Sequence, residues 1–82
     1  MINVALRAEV RLVLEEIYNA FMRDEDVQDD ISDELGDFYD SVQESDDDTL
    51  KVTYASVRAL LGEDDEDIMG TMLRAALSAL KA

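Results

Sequence analysis

Residues 24–48 read DEDVQDDISDELGDFYDSVQESDDD, and the spacing of their apolar side chains predicts the helical character of the chain. Each residue of an α-helix turns by about 100°, so apolar side chains three or four positions apart share one face. Those of this stretch are Val27, Ile31, Leu35, Phe38 and Val42. Gly36 costs about 1 kcal/mol inside a helix relative to Ala and could divide the stretch in two. Because the pattern continues unchanged through Gly36, we predict one continuous amphipathic helix.

The acidic side chains of the same stretch also have helical spacing. The stretch holds thirteen Asp or Glu and no Lys or Arg. Six of them fall on one narrow face, about 140° from the apolar face. This carboxylate ridge consists of Asp26, Asp30, Asp33, Asp37, Asp40 and Glu44. It is flanked by Asp29, Asp46, Asp47 and Asp48. We predict that these residues bind a partner.

Three further helices are predicted around this stretch. The first runs from Asn3 to Met22 and carries an apolar stripe of Leu6, Val10, Val13, Ile17 and Phe21, with Ala20 beside it. The next begins at a cap formed by Asp48 or Thr49, carries Leu50, Tyr54, Val57 and Leu61, and stops at Gly62. The last has Asp64 as its N-cap and a stripe of Met69, Leu73, Ala76 and Leu80.

Together these patterns predict an all-α fold, a small antiparallel bundle of three or four helices in a single domain, residues 1–82. A chain of this length buries a small core, and association would enlarge it. The first and last helices are apolar over wide arcs. We therefore predict a homodimer that buries Leu12, Val13 or Met72 between subunits.

Composition excludes several classes of function. The chain has no Cys and no His, which removes disulfides, thiolate metal sites and nucleophile–His–acid triads. The acidic runs lack the ligand spacing of a calcium-binding EF-hand loop. No catalytic, metal or cofactor site is predicted, so we do not expect an enzyme. No uncharged apolar window is long enough to span a membrane, and we predict a cytoplasmic protein.

The net charge of −14 indicates a basic partner and opposes binding to nucleic acid or to anionic membranes. Eighteen of the twenty-one acidic residues lie between Asp24 and Asp67, while both terminal segments are near neutral or basic. Adaptation to high salt would acidify every exposed face, so this uneven distribution disfavours a halophilic origin of the charge. A solvated helix face is the simplest alternative reading of the ridge.

The size, charge and acid spacing resemble, as a class, the small acidic proteins of phages and mobile elements that imitate DNA. Steps of three or four residues advance the ridge by about 5 Å along a helix, which is of the order of the phosphate spacing in a nucleic-acid strand. The resemblance implies an inhibitor that occupies the basic nucleic-acid site of a host defence or DNA-processing protein, in the host cytoplasm if the chain is phage-encoded.

Two alternatives remain open. The chain could be a structural or assembly protein of a phage particle, in which the apolar helices matter more than the acids. The pair Leu35-Gly36, followed by Asp40-Ser41-Val42, also resembles the pattern of acyl and peptidyl carrier proteins. That resemblance implies phosphopantetheine on Ser41. Two extra residues intervene, and Val42 stands where the family has Leu.

Overall fold

A computed structural model describes residues 4–81 of the 82-residue chain. The all-α bundle is confirmed, with five α-helices and one 3-10 turn, and residues 4–81 contain no strand. The helices are α1 Val4–Met22, α2 Gln28–Gly36, α3 Tyr39–Glu44, α4 Asp48–Arg58 and α5 Glu66–Ala79, and the 3-10 turn spans Ala59–Gly62. Asn3, the predicted start of the first helix, lies outside the described residues.

The buried face of α1 is centred on a residue that the sequence pattern did not include. Leu14 is fully buried, whereas Val13 and Phe21 are half-buried at the edges of the face. The other buried residues of α1 are Leu6, Val10, Ile17 and Ala20. Leu12 is 56% exposed. This face packs against α5 and α2.

Asp24 ends α1 in a left-handed conformation, with φ of 60°. Its N–H donates to the carbonyl of Phe21 at 3.0 Å, and the N–H of Glu25 donates to the carbonyl of Ala20 at 3.1 Å. These two bonds form a Schellman motif, in which the left-handed position is usually Gly. Asp tolerates this conformation better than most residues, and so the chain turns sharply before α2.

The prediction of one continuous helix through Gly36 is wrong. The helix is interrupted at Asp37 and Phe38, where the N–H of Phe38 donates to the carbonyl of Leu35, a three-residue step. Both residues keep near-helical backbone angles, with φ of −62° and ψ of −22° for Asp37 and φ of −98° and ψ of 0° for Phe38. The turn is therefore tight, and the apolar pattern survives it: Val42 in α3 is buried like Leu35 in α2.

Two predicted N-caps differ from the observed ones by one or two residues. Asp47 caps α4, in place of Asp48 or Thr49, by accepting the N–H of Leu50 at 3.2 Å. Asp65 caps α5, in place of Asp64, by accepting the N–H groups of Asp67 and Ile68. In both cases neighbouring acids offered chemically equivalent caps.

The end of α4 also differs from the prediction. The chain tightens into the 3-10 turn after Arg58, and a 3-10 helix has three residues per turn. The core position after Val57 is therefore Leu60, which is 3% exposed, and the predicted Leu61 is 37% exposed. The predicted stripe of α5 is confirmed, since Met69, Leu73, Ala76 and Leu80 are all buried. This stripe packs against α1 and α4.

Candidate functional site

Eight of the ten predicted partner-binding residues have exposed side chains. These eight are Asp26, Asp29, Asp33, Asp37, Asp40, Glu44, Asp46 and Asp48. Asp30 is half-buried, because it lies only one residue, or about 100°, from the fully buried Ile31. Asp47 is the exception, being 2% exposed.

The core fixes the orientation of the acidic side chains on α2. Val27, Ile31 and Leu35 are all at most 2% exposed, so this face of the segment cannot rotate towards solvent. Asp29 and Asp33 each lie two residues before a buried residue of that face, which places them about 200° around the helix from it. Their carboxylates are therefore held outward by the packing of the opposite face.

The break at Asp37 and Phe38 divides the carboxylate ridge into two parts. Asp30 and Asp33 lie on α2, whereas Asp40 and Glu44 lie on α3. Asp26 precedes α2, where its Oδ1 accepts the N–H of Gln28 at 3.0 Å. The regular axial step of about 5 Å holds within each helix and does not extend through the turn.

The ridge carries charge that the rest of the described chain does not neutralise. Residues 4–81 contain three ion pairs, Arg7–Asp47, Arg11–Glu15 and Arg23–Glu25, and none of them includes a ridge carboxylate. On an ordinary exposed helix, opposite charges four residues apart stabilise by a few tenths of a kcal/mol, and like charges destabilise by a similar amount. Neighbouring like charges of the ridge therefore destabilise one another.

Glu34 belongs to the same acidic surface, although the spacing argument did not select it. Loss of hydration raises the pKa of the Glu34 carboxyl, and the negative charges of Asp30, Glu16, Asp33 and Asp37 raise it further. Glu16 lies on α1, so the surface extends from α2 to a second helix. Only the packing of α1 against α2 reveals this neighbour.

Asp47 has a structural role that separates it from the other candidates. Arg7 on α1 donates its Nε–H and an Nη2–H to the two carboxylate oxygens of Asp47, at 2.8 and 2.6 Å. The bond from Arg7 lowers the pKa of Asp47, and the N–H of Leu50 and the charge of Arg7 act in the same direction, outweighing burial. A carboxylate so enclosed is not available to a partner.

Arg58 places a positive charge beside the turn between α2 and α3. Its guanidinium lies 5.7 Å from the ring centre of Tyr39 and 5.9 Å from that of Tyr54, within the range of cation–π attraction. The Tyr54 hydroxyl donates to the carbonyl of Leu35, the residue before Gly36. This cluster fixes the turn through aromatic contacts and a hydrogen bond.

Ser41 is exposed and is the third residue of α3, a helix of six residues. Within residues 4–81, no group of three or more acidic side chains is arranged to hold a metal ion. None of the described helices is both long enough and apolar enough to cross a membrane.

Comparison with protein-family models, with curated proteins and with solved structures gave no match.

Proposed function

We propose that this chain is an acidic protein-binding module that occupies the basic nucleic-acid site of a DNA-processing or defence protein. The observation that carries the proposal is a set of exposed carboxylates without cationic partners in residues 4–81, backed by a fully buried helix face. The proposed surface contains Asp26, Asp29, Asp30, Asp33, Asp37, Asp40, Glu44, Asp46 and Asp48, to which we add Glu34 and omit the buried Asp47.

The chemistry of such a partner follows from the charge. A protein that binds nucleic acid presents Lys and Arg side chains to phosphates spaced a few Å apart. Carboxylates held in fixed positions on α2 and α3 offer acceptors for the same cations. The net charge of −14 disfavours nucleic acid itself as the ligand. The partner is thus a basic protein surface, met in the cytoplasm of the cell.

The test compares the wild-type chain with the triple variant Asp33→Asn, Asp37→Asn and Asp40→Asn. The variant keeps the side-chain volumes and removes three exposed charges. It should melt at a higher temperature, because repulsion decreases, and it should bind the basic partner more weakly. Partners are captured from a host lysate and then purified, so that affinity can be titrated with each chain.

Salt and nucleic acid provide two further readouts for the same pair of proteins. Affinity should fall steeply with ionic strength, since the Debye length shrinks from about 10 Å at 0.1 M to about 3 Å at 1 M salt. Duplex DNA should displace the wild-type chain from the partner. If the variant melts higher and yet binds the purified partner with equal affinity, the acids serve only for solvation and the proposal is wrong.

A structural or assembly role is a second candidate, favoured by exposed apolar side chains. Val4 and Leu12 on α1 are 64% and 56% exposed, whereas Val13 and Met72, which were also predicted to lie between subunits, are partly buried against the core of the chain. Burial of such side chains in a homodimer would remove apolar area from water, and we include this dimer in the proposal. Sedimentation should give a dimer for the wild-type chain and a monomer for Leu12→Asp. A monomeric wild type at tens of micromolar excludes the dimer.

A further inference from the structure

A groove of about 870 Å³ lies where the end of α1 and the segment before α2 meet the first turns of α5. Val27 and Met69 form buried parts of its lining, and Phe21 is half-buried beside them. Met22 also lines the groove and is 61% exposed. Met side chains are flexible and adapt to different apolar ligands. The groove therefore offers an apolar surface that an incoming side chain can reach.

The position of Gly70 explains how the groove is closed on one side. A Cβ atom at Gly70 would lie 3.1 Å from Cε2 of Phe21, a closer approach than ordinary van der Waals contact. The absence of a side chain thus lets the Phe21 ring rest directly on the backbone of α5. The ring therefore lies between α1 and α5 and closes the groove on that side.

Acidic side chains surround this apolar lining. Three come from residues 24–26 and four from residues 63–67, and Arg74 is the one cationic residue among the described residues that line the groove. Glu25 is paired with Arg23 at 2.6 Å, and the other six have no ion pair within residues 4–81. The Schellman turn at Asp24 brings the first set towards the second, which lies far away in sequence.

Gln28 adds a polar group to the lining. Its Nε2 donates to the carbonyls of Leu60 and Glu63 at 3.1 and 3.2 Å, which orients the side chain. Its Oε1 is buried and has no hydrogen-bond partner among residues 4–81. The two bonds from Nε2 join α2 to the segment before α5 and so hold this part of the lining in place.

We propose that the groove binds a basic amphipathic segment of a partner protein. A large apolar side chain of the segment packs on Met22 and Phe21, while Lys and Arg on either side of it meet the acids. A second copy of this chain is a poor occupant of this groove, because it has seven Lys or Arg against twenty-one Asp or Glu and so offers few cations to the acids that line it. Small polyamines would leave the apolar lining unused. This proposal stands apart from the carboxylate ridge, with which the groove shares only Asp26.

The test uses the full chain and two synthetic peptides of equal positive charge. One peptide has Leu and Lys at helical spacing, and the other has Ser in place of every Leu. The groove variant is Asp64→Asn, Glu66→Gln and Asp67→Asn, whose side chains are exposed. The matched control is the ridge variant, Asp33→Asn, Asp37→Asn and Asp40→Asn, which removes the same charge elsewhere.

We expect the Leu/Lys peptide to bind more tightly than the Ser/Lys peptide. The groove variant should weaken that binding by about tenfold, and the ridge variant by less than about twofold at 0.15 M salt, where the Debye length is about 8 Å. Met22→Gln, which removes an exposed apolar contact and keeps the charge, should weaken the Leu/Lys peptide selectively. Circular dichroism confirms that each variant is folded.

Backbone amide shifts locate the bound peptide, and those of Met22, Gly70 and Thr71 should move. Equal affinity for the two peptides would show binding by charge alone and overturn the proposal. The proposal would also be overturned if the groove and ridge variants reduced the affinity for the Leu/Lys peptide equally. If the ridge variant loses binding to the basic partner protein and still binds the Leu/Lys peptide, the groove and the ridge are independent binding surfaces.

Discussion

Among the acidic residues, Asp47 is expected to cause the largest loss of stability when it is substituted, because it pairs with Arg7 and caps α4. Asp47 is 2% exposed, accepts bonds from Arg7 at 2.8 and 2.6 Å, and caps α4 through the N–H of Leu50. Asp47→Ala removes a cap worth about 1 kcal/mol and charge-assisted bonds worth about 1.5–3 kcal/mol. We expect a loss of about 3 kcal/mol from a free energy of unfolding of roughly 4–12 kcal/mol for this length.

Urea unfolding and thermal melts measure the effect. A loss of this size in a chain of this length lowers the melting temperature by roughly 15 °C. Asp47→Asn keeps a side-chain oxygen for the N–H of Leu50 but loses the charge and the second oxygen that accepts the Nε–H of Arg7. It should therefore fall between wild type and Asp47→Ala. The matched control is Asp46→Ala, which removes the same charge from the exposed neighbouring residue and should change stability by less than about 0.5 kcal/mol.

The pH dependence gives an independent check on Asp47. The folded-state pKa of Asp47 is lowered, chiefly by the bond from Arg7. The pair therefore contributes fully above the unfolded-state pKa of about 3.9, and its contribution is lost as the pH falls through the folded-state pKa. The stability gap between wild type and Asp47→Asn should narrow below about pH 4. If Asp47→Ala is no less stable than Asp46→Ala at pH 7, the pair does not hold α1 to α4.

Three further predictions concern the acidic surface and the backbone. The raised pKa of Glu34 means that its charged form destabilises the fold, so Glu34→Gln should have a higher melting temperature than wild type at pH 7. This gain should vanish once the pH falls below the unfolded-state pKa of Glu34. Gly36→Ala should add about 0.5–1 kcal/mol of stability in urea unfolding, because Gly36 has negative φ and a Cβ there would make only ordinary van der Waals contact, 3.7 Å from Nη1 of Arg58. Gly70→Ala should gain less, because its Cβ would lie 3.1 Å from the Phe21 ring. The melting temperature should be highest with Gly at position 24, intermediate with the native Asp and lowest with Ala, because a left-handed backbone costs about 1 kcal/mol for a residue with a plain Cβ. Equal melting temperatures for Asp24→Gly and Asp24→Ala would contradict the left-handed turn at the end of α1.

Apolar periodicity predicted most of the core, because a fixed turn of 100° per residue leaves little choice of face. Val27, Ile31, Leu35 and Val42 are buried as the pattern required, even though the helix that carries them is broken. Gly36 marked a position at which the helix could divide, but the unbroken apolar pattern predicted continuity. Gly36 has a negative φ, and the turn follows it rather than being made by it.

The caps could not be predicted to the residue, because runs of Asp offer several equivalent acceptors. Asp46, Asp47 and Asp48 are indistinguishable as local capping residues. Arg7, forty positions earlier in the sequence, singles out Asp47 by pairing with it. A contact between distant segments thus decided which acid became structural. Glu16 could not be predicted as a neighbour of Glu34 for the same reason, since only the packing of α1 against α2 brings them together.

The contrast between Asp47 and the ridge bears on why so many acids are present. Asp47, the carboxylate with the most stabilising contacts, is buried, paired with Arg7 and bonded to the N–H of Leu50. The ridge carboxylates have no such ion pairs within residues 4–81. Loss of hydration raises the pKa of Glu34, and the charges of three ridge residues, Asp30, Asp33 and Asp37, raise it further. Lys at a few of these exposed positions would relieve that repulsion without disturbing the core. Their uniform sign therefore adds repulsion that the fold does not need, and the proposed binding of a cationic partner gives it a purpose.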